Sequence, residues 1–300
     1  SVALAFVILM SCFVWQQRSV GRQDPDFKSI YCAGYYNTTF SSVRFSNIIS
    51  GQIPGIEQTV NIVRYEGLMD ESIGIGTYLA VSSGFFDIFP CRFIAGNRDV
   101  LDDASNVIIT ESMAEKFGGM DSLGKDFHIN NERYTIGAII EDHEYSIFDS
   151  QYRIFVSLDH PDFDFFKNTD EYKGSADGNS LTFHKVRKGA DVGEIRKRMN
   201  EINDSYLIRE EDKGKEYYNL IRLDKLYFSD SNQGQVLKRG NAMMMKVFSI
   251  IAIFLLISAI FNYINLSTAL AGKRGKEMAT RMLLGDSRQK VMGIYIKESL

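Results

Sequence analysis

From Val247 to Ser267 the chain reads VFSIIAIFLLISAIFNYINLS, an apolar run with no charged residue, flanked by Lys246 and Lys273. As a helix rising 1.5 Å per residue it covers roughly 30 Å, the thickness of a bilayer's hydrocarbon core. A second apolar run, Val2 to Trp15, ends in Trp15, Gln16, Gln17 and Arg18; tryptophan at such a border suits anchoring at headgroup level. This run is short for a span and has no basic n-region, so it reads as the second half of a transmembrane helix rather than a signal peptide. The abrupt GIYIKESL end adds to the expectation of a fragment of a longer protein. Between the two runs lies one soluble stretch, long enough for one large core or two small ones.

Within that stretch the pattern alternates between strand and helix periods. Strands are expected at Ser29–Asn37, Gln58–Tyr65 (alternating polar and apolar), Tyr78–Val81, Asn106–Thr110, Arg153–Leu158, Leu181–Val186 and Tyr217–Leu226. Asp126–Ile129, the turn Asn130-Asn131 and Arg133–Glu141 predict a hairpin. Short helices are expected at Ser46–Ile53, capped by Ser46 or Asn47, at Ser83–Phe89 before Pro90, and at Glu111–Phe117, capped by Thr110 and closed by Gly118-Gly119. Val192, Ile195, Met199 and Ile202 recur at spacings of 3, 4 and 3, the stripe of an amphipathic helix. Pro161 to Asn179 reads as loop. The fold class is therefore an α+β extracytoplasmic domain with two lobes, an α+β lobe and an inserted β-rich lobe, between transmembrane α-helices.

Composition sharpens the division. The chain of 300 residues carries a net charge of −4 and 24% charged residues, and its mean hydropathy is slightly negative, so membrane character is confined to the apolar runs. After the second run, Lys273, Arg274, Lys276, Arg281, Arg288, Lys290 and Lys297 outnumber Glu277, Asp286 and Glu298. The positive-inside rule puts this short loop in the cytoplasm and the large acidic domain outside. Cys32 and Cys91 fall in the soluble stretch, where an oxidising compartment would let them pair; their apolar settings favour two separate buried thiols.

Catalytic chemistry has little support. Gly119-Met-Asp-Ser-Leu-Gly124-Lys125 matches most of a phosphate-binding loop, but Asp126 stands where Mg²⁺ coordination needs Ser or Thr, and the segment precedes a strand. It reads as a tight turn. His128, His143, His160 and His184 are scattered, and Glu141-Asp142-His143-Glu144 cannot turn all its side chains to one ion from a single strand. No nucleophile–base set is identifiable.

The polar segment after the second span carries the candidate site. Lys273 to Leu284 suits a helix, with Met278, Ala279, Met282 and Leu283 on one stripe and Glu277–Arg281 an i,i+4 pair in the favourable order. Gly285 is placed as its C′ residue. Such a helix can lie on the membrane surface, pack on the chain's own spans, or enter a groove of a cytosolic partner, and periodicity leaves all three open.

Asn262-Tyr-Ile-Asn-Leu-Ser-Thr-Ala269, with Lys273, Arg274, Lys276, Glu277, Arg281, Leu284, Gly285 and Arg288 after it, resembles the cytoplasmic coupling segment of MacB/FtsX-type ABC-transporter permeases. Met282 stands where that family often has a basic residue, and Asp286 where it often has alanine. Ser83-Gly-Phe-Phe-Asp-Ile-Phe-Pro90, Phe93-Ile-Ala-Gly96, Val107-Ile-Ile-Thr-Glu-Ser-Met-Ala114, Lys116-Phe117 and Leu123-Gly-Lys125 are similar to recurring pieces of the family's periplasmic core domain. The resemblance implies transmembrane helix 1 over 1–19, a core domain over 20–243 with the β-rich lobe at about 119–179, transmembrane helix 2 over 244–269, a coupling segment over 270–290 and the start of helix 3 over 291–300. It implies a non-enzymatic permease subunit of the bacterial inner membrane with no cofactor of its own. ATP would be bound by a separate cytoplasmic ABC ATPase subunit contacting Lys273, Arg274, Lys276, Glu277, Met278, Arg281, Met282, Gly285 and Arg288. The other partners implied are a second permease copy or half, a periplasmic adaptor or envelope protein and the lipid bilayer, with no nucleic acid. Its work would be export of peptide, antibiotic or lipoprotein, or mechanotransmission to the envelope. The alternative is a two-span membrane sensor with an extracytoplasmic sensing domain.

Overall fold

The computed structural model describes residues 2–22, 26–70, 73–142, 146–233 and 235–284. Two compact units emerge, Arg18–Asn241 and, separately, Ser1–Gln17 with Ala242–Leu300. The starts of the coupling segment's last turn and of the third span, including Gly285, Arg288 and 291–300, lie outside the described residues.

The larger unit is organised by one ten-stranded sheet. In chain order its strands are β1 (Ile30–Tyr35), β2 (Ile56–Leu68), β3 (Ile75–Val81), β4 (Phe93–Ala95), β5 (Asn106–Thr110), β6 (Asp126–Ile129), β7 (Glu132–Ile140), β8 (Ile154–Ser157), β9 (Ser180–Val186) and β10 (Tyr218–Arg222). Across the sheet they run β10-β1-β9-β2-β3-β8-β5-β7-β4, with β6 on β7. The β3–β8 and β5–β7 pairs are parallel and the rest antiparallel. The segment from β4 to β8 thus supplies one half of the sheet and the flanking segments the other. The β-rich portion begins before residue 119, because β4 and β5 join it. Past β8, the 158–179 segment forms two 3-10 turns, Pro161–Phe166 and Thr169–Glu171, that bury Phe163, Phe166 and Tyr172.

Strand side chains alternate between faces, and the two faces pack differently. On one, Ile30, Cys32, Val60, Ile62, Leu79, Val81, Ile108, Phe155, Leu181 and Phe183 belong to a single cluster running through both halves. On the other, the apolar residues fall into two clusters. One is centred on β5, β7 and β8. The other lies under helices α2 (Val43–Ile49) and α5 (Val192–Asp204). The two expected lobes are separate on this second face and continuous on the first.

Local sequence explains most elements. Helix α5 buries Ile195 and Met199, each worth roughly 2 kcal/mol of apolar burial, and Asp191 caps it by accepting from Gly193 N at 2.8 Å and Glu194 N at 3.3 Å. Helix α2 begins earlier than the Ser46 cap predicts. Ser42 is extended at φ −122° and takes the cap, accepting from Phe45 N at 3.4 Å, and the Asp177 carboxylate accepts from Val43 N at 3.1 Å. Ser46 instead donates to Asn61 Oδ1 at 2.8 Å, as does Thr182 at 2.8 Å. These buried hydroxyls therefore satisfy an asparagine in mid-sheet. Past β10, residues expected to continue the strand turn into the short helix α6 (Leu223–Leu226).

Strand β10 closes the sheet on one side, and its free edge is occupied. Asn200 of α5 accepts from Tyr217 N at 2.7 Å and Tyr218 N at 2.8 Å, and donates to Tyr218 O at 3.0 Å. Leu220 N bonds to the side chain of Asn219 at 2.8 Å.

His184 on β9 is fully buried. Its Nδ1 lies 2.8 Å from Thr59 Oγ1, and Nε2 has no hydrogen-bond partner among the described residues. Burial pushes its pKa down to about 4 from an ordinary 6.5. Above pH 6.5 the ring is neutral folded or unfolded and stability is full. As pH falls from 6.5 to 4 the unfolded chain takes up a proton that the folded chain refuses, so about 3 kcal/mol is lost over that window. Urea unfolding read by tyrosine fluorescence should give a midpoint that drops steeply between pH 6.5 and 4. His184→Gln should flatten that slope, and an unchanged slope would mean another group governs it.

Candidate coupling segment

The second apolar run becomes part of helix α7, Ala242–Leu283, of 42 residues. Within it Ala242–Ala269, whose most apolar 18-residue window has a mean hydropathy of 2.5, is the one stretch among the described residues long and apolar enough to cross a membrane. Its apolar side chains point outward: Phe254 is 68% exposed and Phe261 62%. In water such a surface would be unfavourable by tens of cal/mol per Å², so its solvent is hydrocarbon. Inside the span Ser249 donates to Met245 O and Thr268 to Ile264 O, each at 2.8 Å, which spares both hydroxyls an unpaired place in lipid. The first run forms helix α1 (Val2–Ser19), and Phe13 meets Phe248 edge to face at 5.5 Å between ring centres.

The segment from Lys273 onward is not a separate helix. The backbone of α7 runs through it without a break, because even its weakest formers there, Gly272 and Gly275, are tolerated. Each costs roughly 1 kcal/mol, and neither removes a hydrogen bond as proline would. From Ala269 to Leu283 the helix extends a further fourteen residues, about 21 Å. Lys273, Arg274, Lys276, Glu277, Met278, Arg281 and Met282 all lie on this extension. At about 100° per residue, positions 274, 277, 278 and 281 share roughly a third of its circumference.

Elsewhere the structure disperses the residues with chemical potential. The Gly119–Lys125 segment is a 3-10 turn entered through the left-handed Gly118 and Gly119 and left through Gly124. Lys125 Nζ donates to Phe117 O at 3.2 Å, and strand β6 follows, so no helix N-terminus is offered to a phosphate. His128 Nδ1 lies 3.0 Å from Asp70 Oδ1. His160 Nδ1 caps its own 3-10 turn by accepting from Asp162 N at 3.3 Å. His143 and Glu144 lie outside the described residues, and among the described residues no three metal-ligating side chains converge. Cys32 and Cys91 are free thiols. Burial raises both, Cys91 to about 12, which keeps them protonated and unreactive.

One feature was not legible in the sequence. Part of the Ser83–Pro90 motif, with the helix α3 (Phe85–Ile88), walls a cavity of about 490 Å³ together with Gln58, Arg98 and Asp102. Its rim is occupied by the Arg98–Asp87 ion pair.

The profile of the MacB-like periplasmic core domain matches residues 2–202. A domain assigned to a permease protein from Porphyromonas gingivalis has the same fold. It is 22% identical, with a TM-score of 0.54, over 66% of this chain and 92% of that one. Also similar are the periplasmic region of MacB from Actinobacillus actinomycetemcomitans and the extracellular domain of the noncanonic ABC-type transporter YknZ from Gram-positive bacteria. The first is 14% identical, TM-score 0.47, over 69% of this chain and 92% of that one. The second is 16% identical, TM-score 0.44, over 64% and 99%. No curated protein sequence matches.

Helix continuity is directly measurable. Nitroxides on Thr268 and Ala279 of the full-length protein in nanodiscs should lie about 17 Å apart in a narrow distribution, the rise of eleven helical residues. Gly275→Pro should broaden and shorten it, and a broad distribution in the unmodified helix would contradict the single rod.

Proposed function

Because the chain belongs to the family of MacB-like periplasmic core domains, we propose that it is the permease subunit of an ABC transporter. In this reading a separate ATPase subunit hydrolyses ATP in the cytoplasm. The permease carries the resulting movement through the membrane to its extracytoplasmic domain, with no cofactor and no catalysis of its own. Family membership makes the chain part of an ABC-transporter-type permease with an extracytoplasmic domain. The coupling role is supported chiefly by α7, one uninterrupted helix leading from the apolar span into the basic segment.

Residues Lys273, Arg274, Lys276, Glu277, Met278, Arg281 and Met282, with Gly285 and Arg288 beyond, are the proposed contacts to the ATPase. Their charges would meet the partner, and the continuity of α7 would convert its movement into displacement of the span. A rod of this kind transmits displacement because its hydrogen bonds run along the axis, every residue tied to the fourth before it. The proposed assembly contains two permease copies or halves. The work done outside would be export of peptide, antibiotic or lipoprotein, or force delivered to an adaptor or envelope protein.

The double charge reversal Glu277→Lys/Arg281→Glu preserves the i,i+4 pair in reversed order, at a cost of only a few tenths of a kcal/mol to the helix. Co-purification of the ATPase subunit should be abolished while far-UV circular dichroism stays unchanged. Undiminished co-purification would remove the coupling role from this segment. Impermeant thiol labelling of intact cells should reach cysteines placed within residues 30–230 and spare those within 273–284.

A further inference from the structure

The chain enters the Arg18–Asn241 unit and leaves it through two short connectors, and both run against the same loop, Ser146–Tyr152. On the exit side, Lys238 N donates to Ile147 O at 2.7 Å and Asp149 N donates to Val236 O at 3.0 Å. These bonds enclose an isolated antiparallel bridge between Phe148 and Leu237. The Tyr152 hydroxyl, on a fully buried side chain, donates to Gln235 O at 2.6 Å and accepts from Arg64 Nε of β2 at 3.0 Å. On the entry side, Gly21 sits at φ +73°, where an added Cβ would lie 3.7 Å from Ile147 Cβ and 3.6 Å from Leu223 O. Lys238 is four residues before Ala242, where α7 begins, so the slack is at most about 14 Å of extended chain.

The loop itself is pinned from behind. Phe148 packs at 5.4 Å from Phe85, 4.8 Å from Phe89 and 6.2 Å from Phe183 between ring centres. Phe85 and Phe89 come from the Ser83–Pro90 motif, which thereby gains a purpose: its rings hold the loop against the continuous face of the sheet. A close-packed core deforms little and passes displacement on. A pull on the exit connector can therefore reach the sheet through Phe148 and Tyr152 as well as along the chain through α6 and β10.

We propose that Ser146–Tyr152 is a clasp that joins the two membrane connectors to the sheet, with Tyr152 as the positioning residue that ties the exit connector to β2. This rests on the permease reading, since it names where the transmitted movement enters the outer domain. Loss of the Tyr152 hydroxyl leaves Gln235 O and Arg64 Nε without their partner, and loss of the Lys238 N–H opens the strap.

The test uses the full-length protein in lipid nanodiscs with its ATPase subunit, followed by amide exchange with and without ATP. Tyr152→Phe and Lys238→Pro should each raise exchange across 235–241 about five-fold, the effect of one hydrogen bond on an opening equilibrium. Both should keep ATP turnover and lose the ATP-dependent change in exchange at 146–158. Lys238→Ala, which retains the N–H, should behave as the unmodified protein. A merely structural contact would alter basal exchange and leave the ATP-dependent change in place; that result, in either variant, overturns the clasp. Equal loss in Lys238→Ala overturns it too, by moving the effect to the side chain. If the unmodified protein shows no ATP-dependent change anywhere in Arg18–Asn241, the permease reading fails and the clasp with it.

Discussion

The continuous apolar layer on one face of the sheet is the constraint from which the rest follows. Strands β1, β2, β3, β5, β8 and β9 contribute alternate side chains to it, and most of these are wholly buried. The same layer receives Phe85, Phe86 and Ile88 of α3, the loop residues Ile147, Phe148 and Tyr152, Leu223 and Leu226 of α6, and Val236 and Leu237 of the exit connector. Among the described residues, Val20 and Phe27 on the way into the domain and Val236 and Leu237 on the way out rest on this face. The opposite face carries α2 and α5 over its own two clusters and is free to differ.

The strands were legible because period-two alternation is dictated by the pleat. Gln58–Tyr65, Asn106–Thr110, the 126–141 hairpin and Leu181–Val186 all appear, β2 growing to Ile56–Leu68. The α5 stripe was equally clear. What failed depended on distant partners. The start of α2 is shared between Ser42, its local cap, and Asp177, remote in sequence, and the three-residue β4 exists only by pairing with β7. The end of β10 becomes α6 because Leu223 and Leu226 turn into the main apolar layer. The division into two lobes was readable as a change from mixed strand and helix patterns to a strand-rich stretch, but its one-sidedness needed the sheet order.

The candidate coupling site was legible as a surplus of basic residues beside an apolar span, together with the resemblance to a permease family. The sequence suggested a separate helix there, because charge pattern changes at Lys273. Backbone continuity responds to hydrogen bonding and to proline, and two glycines are not enough to interrupt it. The Ser146–Tyr152 loop gave no signal at all. Its ties are largely main-chain groups at Ile147, Asp149, Val236 and Lys238, which every sequence possesses.

The occupied margin of β10 bears on how two such domains could meet. A bare outer strand invites a neighbouring chain to extend the sheet, as in runaway β-aggregation. Here two asparagines have already used the amide groups at Tyr217, Tyr218 and Leu220. Self-association along this margin is thereby blunted. Under the proposed assembly of two copies, contact along this margin would fall to side-chain shape and charge, which can be made and released without adding a strand to the sheet.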